Sequence, residues 1–484
     1  ALYLDDVPIT YNAPDPDLRL ADIERVEVMR GPQGTLYGGG TIGGVVRLAT
    51  RKPDLDVFSG QLLAGASTTR HGGVGGELEG MINLPLLPGR VAMRAVGYVE
   101  RSPGYIDNAA PARHDVNVSE RNGARLSLRA VLSPAWQVTA VTNYQVIHNH
   151  DTQNGVARLG PLARDNAVRE PHSNSFDQVS LTLTGDGGWG RLTGSVSRLG
   201  HDFSSRYGRN KISYTLTDTF NPSMGPTSPE EFYDGDLISS EYSFNADFAY
   251  EIGGPFAKPA VVAFGAEFRN ETYEIVPGDL ASYVAGPFAT PDPFDFCTNE
   301  ATVAQRTLRP TAPQGMGINC ALASDPVYTT LPVGSNGFPG NTPAYSGELS
   351  RESYAAYVEA SADITEDLFA TVALRAENFS DFGDTFDYKL AARYEFTEDF
   401  GVRGSVGTGF RAPTPGQLFT TNVSTRVDNG VTIASGLFPA SNAVSMFLGA
   451  EELGPEKSFN VSLGFTATLF EKLNLTVDFY QIKL

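Results

Sequence analysis

The chain has 484 residues, a formal net charge of −20, 51 glycines and 10% aromatic residues. Such acidity argues against binding a polyanion, so nucleic acid is excluded as an expected partner. No stretch approaches the roughly 20 consecutive apolar residues of a membrane-spanning helix, and β-branched residues fall in short runs, which points to an all-β chain. A membrane is not excluded, because a barrel strand needs only about 9–11 residues and exposes apolar side chains at alternate positions.

The opening ALYLDD has neither a basic start nor an apolar core, so no export signal is read there. Residues 3–9, YLDDVPI, read as a strand and its exit. Residues 24–53 read ERVEVMRGPQGTLYGGGTIGGVVRLATRKP. Val26 and Val28 alternate into Arg30-Gly31-Pro32, and a hairpin region follows that is punctuated by Gly34, Gly38, Gly43 and Gly44. A second strand, Val45-Val46-Arg47-Leu48, closes at Lys52-Pro53. Gly38 to Gly43 formally satisfies G-x-G-x-x-G, but the residues after it read as strand instead of helix, so nucleotide binding is not expected. The glycines are expected to permit positive φ and close backbone approach between strands.

This segment, with YLDDVPI before it, resembles the last part of the plug domain of TonB-dependent outer-membrane receptors, which fills the lumen of a large β-barrel. The resemblance implies that residues 1–53 are the C-terminal part of a plug and residues 54–484 an incomplete transmembrane barrel. It further implies that Ala1 lies inside the plug, with the export signal and coupling segment upstream.

From residue 60 the chain settles into paired amphipathic runs. Ala124, Leu126, Leu128, Ala130 and Leu132 share one face, with Arg121, Arg125, Ser127 and Arg129 on the other. Ser133-Pro134-Ala135-Trp136 reverses the chain into Val138, Ala140, Tyr144 and Val146, which alternate with Gln137, Thr139, Asn143 and Gln145. Hairpins of the same kind are read at 386–406 and 459–479. In all about 15 strands are expected, against about 22 in plugged transporters, so roughly seven would lie beyond Leu484 and the sheet would be open near 60–69 and 473–484. Tight links near 85–89, 133–136, 185–189, 252–259, 365–368, 397–400 and 470–472 alternate with mostly long ones at 102–120, 149–175, 202–238, 276–350 and 411–455. That one-sided asymmetry marks an outer-membrane barrel with turns inside and loops outside; a soluble sandwich gives no reason for it. Trp136, Trp189 and Phe400 beside the short turns fit an interfacial girdle or simply the abundance of aromatics in strands.

Cys297 and Cys320 fall in one long irregular stretch. A disulfide closing that loop in an oxidising compartment is expected, with free thiols as the alternative. CxxC spacing is absent and the six His are scattered, so no metal or other cofactor site is read. No grouping reads as catalytic either.

In the receptor family, plug arginines pair with barrel glutamates, and Arg30 of the RGP motif is the matching position. The candidates are therefore Arg30 and Arg47 on the plug, with Glu267, Glu359 and Glu377 on polar strand faces. Each glutamate taken singly reads first as a lumen charge facing water. GTGFRAPTPGQLF at 407–419 and LGPEKSFNVSLGF at 453–465 match recurring barrel signatures and carry no chemistry. The family implies energised uptake of a scarce nutrient across the outer membrane, driven by the TonB energy-coupling complex. A ferric siderophore is the first expectation, with cobalamin, haem or an oligosaccharide behind it. A passive porin would have no reason to carry the plug segment. Tyr207, Phe232, Tyr233 and Phe294 in the outer loops are candidates for stacking on an aromatic ligand, against ordinary loop packing.

Overall fold

The computed structural model describes residues 1–9, 15–31, 33–109, 112–156, 159–166, 168–188, 190–208, 231–283, 292, 296–312, 314–315, 317–325, 328, 340–428, 431–470 and 472–484. Four short strands, β1 (Leu2–Leu4), β2 (Val7–Pro8), β3 (Ile23–Arg30) and β4 (Gly44–Thr50), make a small sheet in the order β2-β1-β4-β3. β1 runs parallel to β4, and β3 runs antiparallel to it.

The rest of the regular structure is one antiparallel sheet of 15 strands. Its first part is β5 (Ser59–Thr68), β6 (Val74–Leu87), β7 (Val91–Ser102), β8 (Ser119–Ser133), β9 (Trp136–Asn149), β10 (His172–Asp186) and β11 (Arg191–Gly208). Then follow β12 (Glu231–Ile252), β13 (Ala260–Ile275), β14 (Gly347–Asp363) and β15 (Leu368–Phe379). β16 (Gly383–Thr397), β17 (Phe400–Arg411), β18 (Glu456–Leu469) and β19 (Leu473–Lys483) complete it. Each strand pairs with its neighbours in sequence, and among the described residues β5 and β19 are paired on one side only. The fold is thus an all-β antiparallel barrel wall, open in this chain, around an N-terminal plug.

Period-two alternation decides which face each residue meets. In β15, Ala373, Arg375 and Glu377 are buried, whereas Val372 and Leu374 are 41% and 40% exposed. In the β8/β9 hairpin, Leu128 opposes Ala140 and Ala124 opposes Tyr144 on the outer face, while Arg125, Ser127 and Gln145 are buried on the inner one. The distribution is the inverse of a soluble domain: charges are inside and aliphatic rows outside, as a transmembrane barrel requires.

The links at one end are short, at 88–90, 134–135, 187–190, 253–259, 364–367, 398–399 and 470–472. Those at the other end are mostly long, at 103–118, 150–171, 209–230, 276–346 and 412–455, with 69–73 and 380–382 as short exceptions. The link expected at 202–238 is shorter than the sequence suggested, because β11 runs on to Gly208 and β12 begins at Glu231. These extensions lie beyond the apolar band, where neither face needs aliphatic side chains and the alternation that reveals a strand is lost. Likewise, the stretch 411–455 holds a hairpin of Asn422–Asp428 and Val431–Leu437.

Leu4, Ile9 and Leu48 of the plug pack on Phe176 of β10 and Leu199 of β11, with Leu2, Leu18 and Val46 alongside. This small cluster is an apolar contact between plug and wall. Leu374→Arg, near the middle of β15 on the outer face, is expected to destabilise the folded protein in lipid vesicles by about 2–4 kcal/mol. A urea titration reads this, and an unchanged midpoint would contradict the outward assignment.

Candidate functional site

Two neighbouring wall strands, β6 and β7, present like charges to one another across the sheet. Glu77 and Glu79 share a face of β6, and Glu77 stands directly opposite Glu100 of β7. Facing carboxylates repel unless a cation lies between them. Arg19, from the plug segment between β2 and β3, is that cation: it bonds Glu77 at 2.7 Å and Glu100, and reaches Glu79 at 3.4 Å. Its guanidinium also lies 5.6 Å from the Tyr98 ring centroid.

The opposite polarity is met three residues on. Arg94 of β7 and Arg125 of β8 converge on Asp22, whose φ is +50°. Arg94 donates twice to the Asp22 carboxylate, at 2.7 and 2.6 Å. Arg125 Nη2 reaches the same carboxylate at 3.2 Å, and the Ala21 and Asp22 carbonyls at 3.1 and 2.9 Å. All three side chains are under a tenth exposed. Arg121 pairs with Asp17. The segment's backbone is held as well: Gln145 Oε1 accepts from Arg19 N at 2.9 Å, and Gln145 Nε2 donates to the Pro16 and Asp17 carbonyls at 3.0 and 3.1 Å. Asn174 Nδ2 donates to the Asp15 carbonyl at 2.8 Å. Residues 15–22 thus form a polar clamp between the plug and β6–β10.

The glycine-rich segment lies against the other side of the wall. Contrary to the hairpin reading, Gly34–Tyr37 is a single helical turn. The close approach is to the wall and not between plug strands. Gly38, at φ +64°, leaves no room for a Cβ, which would stand 2.5 Å from Arg375 and 3.0 Å from Glu377; a Cβ on Gly34 would meet Asp387 at 2.8 Å. Gly31 N donates to the Gly43 carbonyl at 3.3 Å, which closes the loop where Gly44 opens β4. Lys389 donates to Gln33 Oε1 at 3.2 Å, and Gly40 N to the Phe410 carbonyl at 3.0 Å.

Behind this loop the wall carries its own ladder of ions. Arg375 bridges Glu267 and Glu377, both at 2.9 Å. Arg269 pairs with Glu241 at 2.7 Å, and Arg351 with Glu271 at 2.5 Å. These pairs correct the sequence expectation. Glu267 and Glu377 are matched within the barrel, whereas Arg47 turns inward to Asp6 and Glu27 of the plug itself, at 2.6 and 3.1 Å. Glu359 makes no ion pair among the described residues, and its register partners are Ala263 and Ala373. The Arg30 backbone pairs with Gly44; its side chain and Pro32 lie outside the described residues, as does Trp189.

Toward the long-loop end, a cavity of ≈ 290 Å³ lies over Gly39 and Gly40 of the plug, bordered by Arg269, Glu271, Arg351, Phe379 and Arg411. Phe379 stacks on Phe382 and meets Phe410 edge-on, with ring centroids 4.5 and 5.8 Å apart. The Arg351 guanidinium lies 5.3 Å from the Phe379 ring. A guanidinium over an aromatic face, with Arg411 at the same border, suits a planar anionic ligand.

Farther out, Arg164 is 1% exposed and pairs with Asp151 at 2.8 Å and with Glu170, tying the 150–171 loop to itself. Burial pushes the Asp151 carboxyl above its ordinary value against the pull of Arg164. Cys297 and Cys320 are bonded to each other. Phe296 beside them meets Phe447 at 5.6 Å, which links two outer loops. Of the aromatic candidates, Phe232 is buried and Tyr233 lies under Arg206. The Tyr207 side chain and Phe294 lie outside the described residues.

Sequence reasoning missed the clamp because the family motif drew attention to arginines on plug strands. The visible signal was Glu77, Glu79 and Glu100 on facing inner positions, which required a cation, with Arg19 in DPDLRLAD to supply it.

Comparison with known proteins follows this geometry. Residues 62–484 match the family described as TonB dependent receptor-like, beta-barrel, and residues 1–45 the TonB-dependent Receptor Plug Domain. The chain is 26% identical over 464 residues to the ferric enterobactin receptor PirA of Pseudomonas aeruginosa, covering 92% of this chain and 53% of that receptor. The crystal structure of the siderophore receptor PirA from Acinetobacter baumannii superposes with a TM-score of 0.63 at 14% identity, over 99% of this chain and 62% of that one. The ferric yersiniabactin uptake receptor FyuA from Yersinia pestis gives a TM-score of 0.61 at 15% identity, over 99% and 62% of the two chains. The chain spans about half the length of the curated relatives it matches.

Asp22→Asn keeps a side chain tolerant of positive φ and strands two buried arginines. It is expected to weaken the clamp by about 3 kcal/mol or more, read as faster hydrogen exchange across residues 15–22. Arg47→Ala should leave that exchange unchanged, and equal effects of the two would refute the assignment. Gly38→Ala is expected to cost about 1–3 kcal/mol from backbone strain and displacement of Arg375, read as a lower thermal midpoint.

Proposed function

The chain belongs to the TonB-dependent receptor family of the outer membrane, and from that premise we propose that it forms plug and wall of a receptor that imports a ferric siderophore. The protein is read as a receptor and transporter, not an enzyme. Residues 1–53 act as the closing plug and residues 54–484 as part of the wall. The ligand settles from the outer loops onto the plug's upper face. The TonB energy-coupling complex then pulls the plug, and a path opens along the lumen.

The observation that carries the reading is the plug gripped by the wall beneath a cationic, aromatic-lined cup. A passive porin has no use for the clamp of Arg19 and Asp22, since it needs a lumen permanently open. Among cargoes, a catecholate-type ferric chelate suits the cup best, since its rings are aromatic and its charge negative. Ferric enterobactin is named for PirA of Pseudomonas aeruginosa and for the ferrienterobactin receptor of Escherichia coli, which is 20% identical over 479 residues. Arg411 is the cup arginine with the most freedom, since its side chain is 43% exposed and its nearest carboxylate, Glu456, is 3.9 Å away.

The test is uptake of radiolabelled ferric enterobactin by iron-starved cells expressing the full-length protein that carries this chain. A neutral hydroxamate chelate and a maltooligosaccharide serve as competitors. Energy-dependent uptake that neither competitor blocks is expected; uptake of the sugar instead would overturn the siderophore reading. Arg411→Ala is expected to weaken ferric enterobactin binding about tenfold or more, the loss of one charge-assisted contact, measured by equilibrium binding of the radiolabelled chelate. Unchanged affinity would remove Arg411 from the site.

A further inference from the structure

Beneath the cup lies a second chamber, of ≈ 320 Å³, between the plug and β11 to β14. β13 places the two in order along the barrel axis: Glu267 lines the chamber, whereas Arg269 and Glu271, the next inward positions toward the long loops, border the cup. Tyr3 and Pro8 line both spaces, and they are cross-strand partners on β1 and β2. This pair is the partition between them. Tyr3 is 8% exposed, donates its hydroxyl to the Tyr37 carbonyl at 2.9 Å and meets the Tyr37 ring edge-on at 5.1 Å. Leu4, on the opposite face of β1, joins Phe176 and Leu199 in the apolar cluster instead.

Charge inverts across the partition. Among the residues that border the cup, Arg269, Arg351 and Arg411 stand against Glu271. Among those that line the chamber, Asp5 and Asp6 of the plug and Asp247 and Glu267 of the wall stand against Arg47, with Arg375 behind Glu267. These groups are held from their own side of the gap: Arg47 pairs with Asp6, Asp5 accepts from Thr50, and Tyr357 donates to Asp247 at 2.6 Å. Opening this side therefore breaks no ion pair between plug and wall among the described residues. An acidic chamber also repels an anionic chelate held in the cup.

We propose that Tyr3 is a gate between the cup and this acidic chamber, and that cargo leaves the cup along β11 to β14 once Tyr3 swings aside. Asp5 and Asp6 act with it as an electrostatic stop. An anionic cargo stays on the arginines of the cup until the moving plug carries those two carboxylates away. The route rests on the transport reading above, whereas the gate is a property of the closed plug and is tested without cargo.

The experiment follows thiol modification of Ser243→Cys, in the chamber wall, on the full-length protein that carries this chain, in cells that lack general porins. Two methanethiosulfonates of similar size are added outside, one a quaternary ammonium and one a sulfonate, and each rate is taken relative to that with a free thiol. Cys297 and Cys320 are bonded to each other and do not compete. Slow modification is expected with Tyr3 in place. Tyr3→Ala should accelerate it about tenfold or more by opening access, and Tyr3→Phe, which keeps the ring, should stay slow. Leu4→Ala loosens the plug without touching the partition and should stay slow too. In Tyr3→Ala the ammonium reagent should react about tenfold faster than the sulfonate, through the field of the carboxylates. Rapid modification with Tyr3 intact, no acceleration in Tyr3→Ala, or equal acceleration in Leu4→Ala would overturn the gate. A sulfonate that reacts as fast as the ammonium would overturn the electrostatic stop. Failure of ferric enterobactin uptake would change the cargo and leave these rates as they are.

Discussion

A sheet that turns its aliphatic rows outward and its charges inward cannot hold its contents by the hydrophobic effect. That constraint governs the rest of the structure. Soluble domains bury apolar area at their centre, whereas here the buried apolar cluster between plug and wall, among the described residues, is a few side chains around Leu4, Leu48, Phe176 and Leu199. What remains for holding the plug is directional: carboxylates, guanidiniums and backbone groups matched across the lumen. The segment 15–22 concentrates these partners, with Arg19 among three glutamates and Asp22 between two arginines. Desolvation offsets much of the attraction within such pairs, but breaking one leaves an uncompensated charge. Contacts of that kind favour two discrete states, held or released, and tolerate little drift between them.

The grip is uneven around the lumen. The described ion pairs from plug to wall fall on β6, β7 and β8. Across from them, a polar cavity of ≈ 320 Å³ separates Asp5, Asp6 and Arg47 of the plug from Ser195, Asp247, Glu267 and Tyr357 of β11 to β14. There the wall satisfies its own charges, as in the Glu267–Arg375–Glu377 bridge. On the β15–β17 side the glycine-rich loop meets the wall by shape. Gly34 and Gly38 bring bare backbone against Asp387 and Arg375, where any side chain would intrude.

Much of this architecture was legible in the sequence because one physical signal carries it. Alternation such as Leu126, Leu128 against Arg125, Ser127 marks a strand between two solvents wherever the membrane enforces the contrast, and the family motif located the plug. Legibility ended where enforcement ended. The outer reaches of β11 and β12 were read as loop because neither face there meets lipid. Arg47 was matched to the wrong partners for a related reason. Ion pairing across the lumen depends on which strands face each other, which the period of a single strand does not encode. The pairing of Arg19 was recoverable only from register, since Glu77 and Glu100 look unremarkable until they are seen to be opposed.

The central claim is that charge matching between residues 15–22 and the wall holds the plug, and a double-mutant cycle on Asp22 and Arg94 tests it most directly. Plug release is followed by hydrogen exchange in Asp22→Asn, Arg94→Gln and the double variant of the full-length protein. A buried bidentate pair predicts a coupling energy of about 2 kcal/mol or more, with the double variant less impaired than the sum of the singles. Effects that add to within about 0.5 kcal/mol would show that the two residues act independently, and the account of the clamp would fail.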